Sequence, residues 1–219
     1  MPRSVEAIVW DLDGTLVDSS IIVPDAFAAA VAELGGDACS REQVVAAFDL
    51  GPPPAVLAHL LERSVTDADL AVYHRILRDT VATVRAYPEI TETLETVRTA
   101  VPMGVFTGNS RSATELLLDH SGLSRFFYHM ITGDDTTHPK PHPDGLELLS
   151  ARMEVAIGKM VFVGDSPLDA QAARSAGAIA IAAAWGHRYE LGMDAGVDVV
   201  CARPLEVAQW AMQAPLAQR

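Results

Sequence analysis

Three acidic residues stand where apolar runs of the chain end. Asp11 and Asp13 follow the run Val5–Trp10 with only Leu12 between them, and Asp165 follows the apolar stretch that ends at Gly164. Clustered carboxylates stay ionised together only if a cation compensates them. Their hard oxygens suit Mg²⁺ rather than zinc. Thr107 offers a hydroxyl, and the Gly108–Asn109 turn offers backbone N–H donors. Lys140, one of only two lysines, lies in HPKPHPD, where Pro139 and Pro141 restrict the flanking backbone. Acids, a hydroxyl, amides and one fixed ammonium make a site for a phosphoryl group. The cation and Lys140 neutralise its oxygens, and one carboxylate is free to attack in line.

These residues act together only if distant segments converge. Val5–Trp10 reads as a short buried strand. From Asp18 to about Arg85 the pattern is helical, with Ala and Leu at three-to-four spacing and no strand signal. The last of these helical stretches, from Asp67, runs on to Tyr87. Ser40 ahead of Glu42 and Gln43 marks one helix start, Asp67 is the candidate cap of another, and Gly51–Pro54 breaks the helices. Strand signals return in VPMGVFTGNS, YHMITGDD, KMVFVGDS, AIAIAAAW and, as a short edge strand, DVVCA, with helical segments between them. Strands alternating with helices predict a parallel sheet with right-handed crossovers, and the helical block after the first strand reads as an inserted lobe. The strong strands end in polar residues: Asp11 and Asp13, Thr107 and Asn109, Asp134 and Asp135, Asp165 and Ser166. In open parallel sheets ligands bind outside the carboxyl ends of the strands, so these residues are expected along one edge.

DLDGTLVDS, residues 11–19, resembles the first motif of the haloacid-dehalogenase-like superfamily. FTGNS resembles the second, Lys140 the third and VGDSPLDAQAARSAG the fourth, in the same order and spacing. KPHPDGLELL and AAAWGH further resemble the phosphoglycolate phosphatase and β-phosphoglucomutase group. The resemblance implies an α/β fold with a Rossmann-like core, residues 1–17 and 86–219, and an inserted α-helical cap, residues 18–85. The cap should hinge near 16–20 and 82–88, with the loop 49–54 facing the substrate. The resemblance makes Asp11 the nucleophile and a metal ligand, and Asp13 the acid/base, its backbone carbonyl also binding the metal. Thr107 then binds phosphoryl oxygens with the Gly108 and Asn109 amides, and Lys140 stabilises the charge. Asp165 becomes the acidic metal ligand, and Asp169 supports it or orients Lys140. The implied reaction is Mg²⁺-dependent hydrolysis of a small phosphorylated metabolite, phosphoglycolate-like or a sugar phosphate, through an aspartyl-phosphate on Asp11.

Other classes fit less well. Resembling dehalogenases lack the second acid of the first motif, present here as Asp13, and resembling phosphonatases use a cap lysine, whereas residues 18–85 contain none. A phospho-accepting signalling module carries its acceptor Asp several strands after the acidic pair. A non-catalytic binding module would lack a motif residue. A sugar phosphomutase shares the core and stays the alternative, although FDLGPPPAVL has no Arg or Lys and residues 18–84 hold ten Asp and Glu against four Arg.

Composition bounds the rest. The chain has 219 residues, 49% hydrophobic and 21% charged, enough for one sizeable core with a second small lobe. A formal charge of −13 argues against nucleic acid and an anionic membrane as partners. No apolar run reaches the ~18 residues of a membrane span, and Glu6 and Asp11 interrupt the N-terminal apolar stretch expected of a signal peptide. Cys39 and Cys201 have no metal-type spacing and are expected reduced and mostly buried, which fits the cytoplasm. His138 and His142 flank Lys140, on the loop surface or touching the site. Trp185 is expected to pack at a strand end, Arg63, Arg75, Arg78 and Arg85 to lie on solvated helix faces, and Asp134 to stand behind the metal ligands or apart from them. No pattern sets the oligomeric state.

Overall fold

The computed structural model describes residues 5–189 and 196–213. Six parallel strands form the sheet: β1 (Ala7–Trp10), β4 (Met103–Phe106), β5 (His129–Ile131), β6 (Met160–Gly164), β7 (Ile179–Ala183) and β8 (Val199–Cys201), in the order β5-β4-β1-β6-β7-β8. The chain winds outward from β1 in one direction and then returns to wind outward in the other. The reversal lies between β1 and β6, which is where a doubly wound sheet opens a crevice at its carboxyl edge.

The strands are short and buried on both faces. Ile8 and Trp10 pack into one apolar cluster with Ile90, Leu94 and Val207, whereas Ala7 and Val9 join Phe106, Phe162, Leu146 and Ala173 in another. This alternation is the two-residue period of a strand whose faces are both covered by helices. Helices α5 (Ile90–Val97), α6 (Arg111–His120) and α9 (Pro204–Gln213) contribute to the first cluster, and α7 (Asp144–Met153) and α8 (Pro167–Ala176) to the second.

The helical block contains α1 (Ile22–Glu33), α2 (Arg41–Ala47), α3 (Pro53–Leu60) and α4 (Asp67–Thr80). Phe27 of α1 stacks on Tyr73 of α4 at 4.1 Å between ring centroids. Ser40 caps α2 in a capping box with Gln43. The cap of α4 is Thr66 rather than Asp67, because Asp69 returns its carboxylate to the Thr66 N–H. Pro53 opens α3, where a missing N–H costs nothing, so the proline run starts a helix as well as separating two.

Two short strands correct the expectation that the block holds none. β2 (Val17–Asp18) pairs antiparallel with β3 (Arg85–Ala86), Val17 opposite Ala86 and Asp18 opposite Arg85. The helical pattern read through Tyr87 holds as an α-helix only to Thr80, and a 3₁₀ turn, Val81–Thr83, leads on to β3. Two residues per strand carry no period to read. This ribbon holds together the two chain segments that leave and re-enter the sheet. No helix among the described residues is long and apolar enough to cross a membrane. Cys201 is buried and Cys39 half-buried, both free.

Candidate active site

The loops after β1, β4, β5 and β6 bring the motif residues together at the carboxyl edge. Asp11 directly follows β1, and its N–H donates to the Val163 carbonyl at 2.8 Å, which ties the loop to β6. The next turn depends on Gly14, at φ +80°, where an added Cβ would fall 2.1 Å from Asp165 Oδ2. A side chain there would collide with the acid that shares the site. Gly186, after β7, faces the same acid: its added Cβ would lie 2.2 Å from Asp165 Cβ. Trp185 pins the turn further, its indole N–H donating to the Thr15 carbonyl at 2.9 Å.

Lys140 enters from the loop after β5. Its Nζ donates to Asp11 Oδ1 at 2.6 Å and to Asp169 Oδ1 at 2.7 Å. It also lies 5.4 Å from the ring centroid of Phe106 and 5.6 Å from that of Phe162. Burial opposes the ammonium charge, but Asp11 and Asp169 reverse that effect and raise its pKa above the ordinary lysine value. Asp169 is held in turn as the third residue of α8, accepting from the Ser166 N–H at 3.0 Å and the Ser166 hydroxyl at 2.6 Å. A helix capping box thus orients the carboxylate that orients the lysine.

Asp13 points elsewhere. Its carboxylate accepts from the Ser19 hydroxyl and from the Asn109 side-chain amide. Burial raises its pKa, against the lowering effect of the Ser19 hydrogen bond. Thr107 is buried after β4, and its hydroxyl oxygen accepts the Asn109 N–H at 3.1 Å. Gly108 lines the cleft between them.

The acids fit a cation. One oxygen each from Asp11, Asp165 and Asp169 lies within 4.8 Å of the others, and all three residues are buried. Asp165 Oδ2 accepts the Arg188 N–H at 2.9 Å, but Asp165 Oδ1 is buried without a partner. Burial first, then the nearby Asp169 charge, pushes the Asp165 carboxyl up to about 7. Burial likewise raises Asp11, with Lys140 opposing and Asp169 and Asp165 adding to the rise. An orphaned carboxylate oxygen among crowded, buried acids is a donor set that suits a hard cation. The side-chain cluster contains Asp169 and excludes the Asp13 side chain, so the Asp11, Asp13 and Asp165 carboxylates do not form the cluster together.

The cleft spans about 830 Å³ of space, open solvent at its mouth included. Its far wall includes Val23, Pro24, Phe27, Phe48, Pro53 and Val56 from the helical block, with Gly51 and the polar Ser20 also lining the cleft. Part of the loop 49–54 therefore faces the acids. Three residues outside the sequence expectation also matter. Ser19 holds Asp13, and His187 and Arg188 line the cleft after β7. Arg188 follows a strand end, which was the signal available for it. Burial lowers the His187 pKa, against the opposing charges of Asp13 and Asp18, and so favours the neutral imidazole.

Other candidates stand apart. Asp134 accepts the backbone N–H of Arg111 and so serves the start of α6 rather than the acid cluster. His138 and His142 both turn their Nδ1 atoms to Asp144, at 3.0 and 2.6 Å, on the exposed loop and outside the cleft lining. Arg63 pairs with the buried Asp69 at 2.9 Å, Arg75 with Glu33 at 2.6 Å, and Arg85 donates to the carbonyls of Ala82 and Val84. Lys159 meets Glu6 at 2.5 Å at the opposite edge of the sheet.

A family model described as haloacid dehalogenase-like hydrolase matches residues 8–183, which takes in all four acid- and lysine-bearing loops. The chain belongs to the haloacid dehalogenase-like hydrolases. Among curated relatives, it is 35% identical over 194 residues to phosphoglycolate phosphatase of Pseudomonas syringae pv. tomato, covering 83% of this chain and 70% of that one. It is 28% identical over 217 residues to phosphoglycolate phosphatase of Shigella dysenteriae, covering 88% and 86%. Among solved structures, CbbY from Rhodobacter sphaeroides in complex with phosphate superposes with a TM-score of 0.80 at 22% identity, over 93% of this chain and 96% of that one. This member of the haloacid dehalogenase-like hydrolases is a phosphatase with a Rossmann-like core and a helical cap.

Proposed function

We propose that the chain is a Mg²⁺-dependent phosphatase for a small phosphomonoester, working through a phosphoryl group carried on Asp11. The observation that carries this reading is Asp11 itself. It sits at the switch point of the sheet, with Oδ1 held by Lys140 and a buried, unpartnered oxygen of Asp165 beside it. Asp11, the Asp13 backbone carbonyl and Asp165 would hold Mg²⁺, which supplies positive charge against the phosphoryl oxygens and keeps the acids ionised.

In the first step the second oxygen of Asp11 forms a bond to phosphorus, and the bond from phosphorus to the ester oxygen breaks. The leaving oxygen takes the proton of Asp13, whose raised pKa lets it carry one. In the second step Asp13 removes a proton from water, the water oxygen bonds phosphorus, and the Asp11 acyl phosphate is released as carboxylate and inorganic phosphate. The Ser19 hydroxyl can donate to an ionised Asp13 or accept from a protonated one, so its contact survives both states. Lys140 and Thr107, with the Gly108 and Asn109 amides, meet the phosphoryl oxygens.

Residues 18–85 serve as the cap, closing over the cleft and excluding water. The ribbon of β2 and β3 is its hinge. The two relatives that act on phosphoglycolate favour a short, doubly anionic ester as substrate. The test is a screen of phosphate esters with Mg²⁺, run on the wild type and on Asp11→Asn. Phosphate release over many turnovers by the wild type, abolished in a folded Asp11→Asn protein, is expected. Normal release by that variant sinks the mechanism.

A further inference from the structure

One ion pair at the cleft takes no part in the chemistry at Asp11. Arg188 Nη2 donates to Asp49 Oδ1 at 2.6 Å. Arg188 belongs to the loop after β7, and Asp49 to the short 3₁₀ turn Phe48–Leu50 that follows α2. The arginine lines the cleft and is anchored at its base, where its backbone N–H donates to Asp165, while its guanidinium reaches Asp49, which is not itself a lining residue. The Asp49 side chain is 60% exposed and the Arg188 side chain 26%. A pair with one member so exposed gains little, so another anion can replace Asp49 at small cost.

The cleft needs such a cation. The chain carries −13, and its substrate would be an anion. Lys140 is committed to Asp11 and Asp169, burial disfavours a charge on His187, and the far wall is mostly apolar and holds no cation among the described residues. Among the described residues that line the cleft, Arg188 is the one cation whose partner is a solvent-exposed carboxylate. Its planar fork can meet a carboxylate or a phosphate through two parallel N–H···O bonds, and only Nη2 is used by Asp49.

We propose that Arg188 is the subsite for a second anionic group of the substrate, and that Asp49 occupies it as a displaceable counter-ion when no substrate is bound. This rests on the reading of the cleft as a phosphomonoesterase site. It narrows the substrate class to short phosphomonoesters bearing a carboxylate or a second phosphate. It also moves the source of specificity from the cap helices, where basic residues are scarce, to a core loop. Asp49 then acts as a selectivity filter: an ester without a second charge gains nothing from displacing it.

The experiment compares kcat/KM for 2-phosphoglycolate, its neutral counterpart 2-hydroxyethyl phosphate, and 1,3-propanediol bisphosphate. The wild type should prefer the doubly anionic esters, and whichever of the two is preferred identifies the second group. Arg188→Gln should cut that preference about tenfold or more, chiefly through KM, the size expected for one charge-assisted hydrogen bond. Asp49→Asn should move it the other way, lowering KM for the anionic esters. If the pair is only a latch between cap and core, the two variants will change all three esters together and in the same direction, and the proposal fails. Calorimetry of 2-phosphoglycolate binding to Asp11→Asn protein repeats the test without turnover. There Arg188→Gln should weaken binding and Asp49→Asn tighten it. That binding pattern in a wild type inactive on every ester would sink the phosphatase reading and leave the subsite standing; its absence would overturn the subsite.

Discussion

Lys140 Nζ lies 2.6 Å from Asp11 Oδ1, although 129 residues separate them in the chain. Both side chains are almost buried, at 11% and 8% exposure, and Asp169 holds the lysine from its other side. Lys140→Ala should lower kcat by about 10²–10³, the cost of losing one preorganised donor to a developing anion. It also leaves two buried acids uncompensated, so its melting temperature must be measured alongside. Lys159→Ala, which breaks only a surface pair with Glu6, should leave kcat close to the wild-type value. Similar kinetics for the two variants would remove Lys140 from the site.

Asp13 makes a different prediction, because its carboxylate turns to Ser19 and Asn109 and away from Lys140. Asp13→Asn keeps the shape and can still bond the Ser19 hydroxyl, but it cannot exchange a proton. Turnover should fall about 10²–10⁴-fold, the range of general acid–base catalysis. Esters with very acidic leaving groups should lose less, since their leaving oxygen needs no proton. Equal losses for acidic and ordinary leaving groups would argue against the acid role.

The acid cluster ties metal binding to pH. Burial and Asp169 hold the Asp165 carboxyl up near 7, well above an unfolded aspartate. Between the ordinary carboxylate value and about 7, the metal-free fold keeps a proton that the unfolded chain has released, so raising pH through that window destabilises it. Mg²⁺ competes for the same oxygens and binds best once the proton has gone. The increase in melting temperature caused by Mg²⁺ should therefore grow from about pH 5 to about pH 8 and then level off. A constant increment across that range would contradict the assignment of the cluster to a cation.

Most of the sheet was legible because each strand carries a buried apolar run closed by a polar residue. Those closures are the loops that form the site, so fold and candidate site came from one pattern. The ribbon β2–β3 was not legible, since two-residue strands have no period. Helix α9 was missed behind the edge strand. Asp134, another acid at a strand end, was open to a place behind the metal ligands or apart from them, and the choice depends on the α6 backbone, which takes its carboxylate. Arg188 lies outside the four motifs, and its place in the cleft depends on how the loop after β7 turns at Gly186.

Arg188 also bears on the mutase alternative, because a phosphomutase needs a second anion site and this residue could serve as one. A mutase must also let a sugar hydroxyl outcompete water. Among the described residues of the helical block that line the cleft, only Ser19 and Ser20 are polar, and their hydroxyls bond Asp13 and Asp18 rather than standing free to hold a sugar in that attacking position. With β-glucose 1-phosphate and a catalytic amount of glucose 1,6-bisphosphate, inorganic phosphate should appear at least as fast as glucose 6-phosphate. Glucose 6-phosphate forming much faster would promote the mutase.

The central claim is that the phosphoryl group passes through Asp11. An acyl phosphate is reduced by borohydride to an alcohol, which would turn a phosphorylated Asp11 into homoserine. The deciding measurement is mass spectrometry of the peptide containing residues 11–19, after quenching the enzyme during turnover with Mg²⁺ and substrate and treating it with borohydride. The account predicts homoserine at position 11, dependent on substrate, with Asp13 unchanged. Steady phosphate release with Asp11 recovered intact would contradict it.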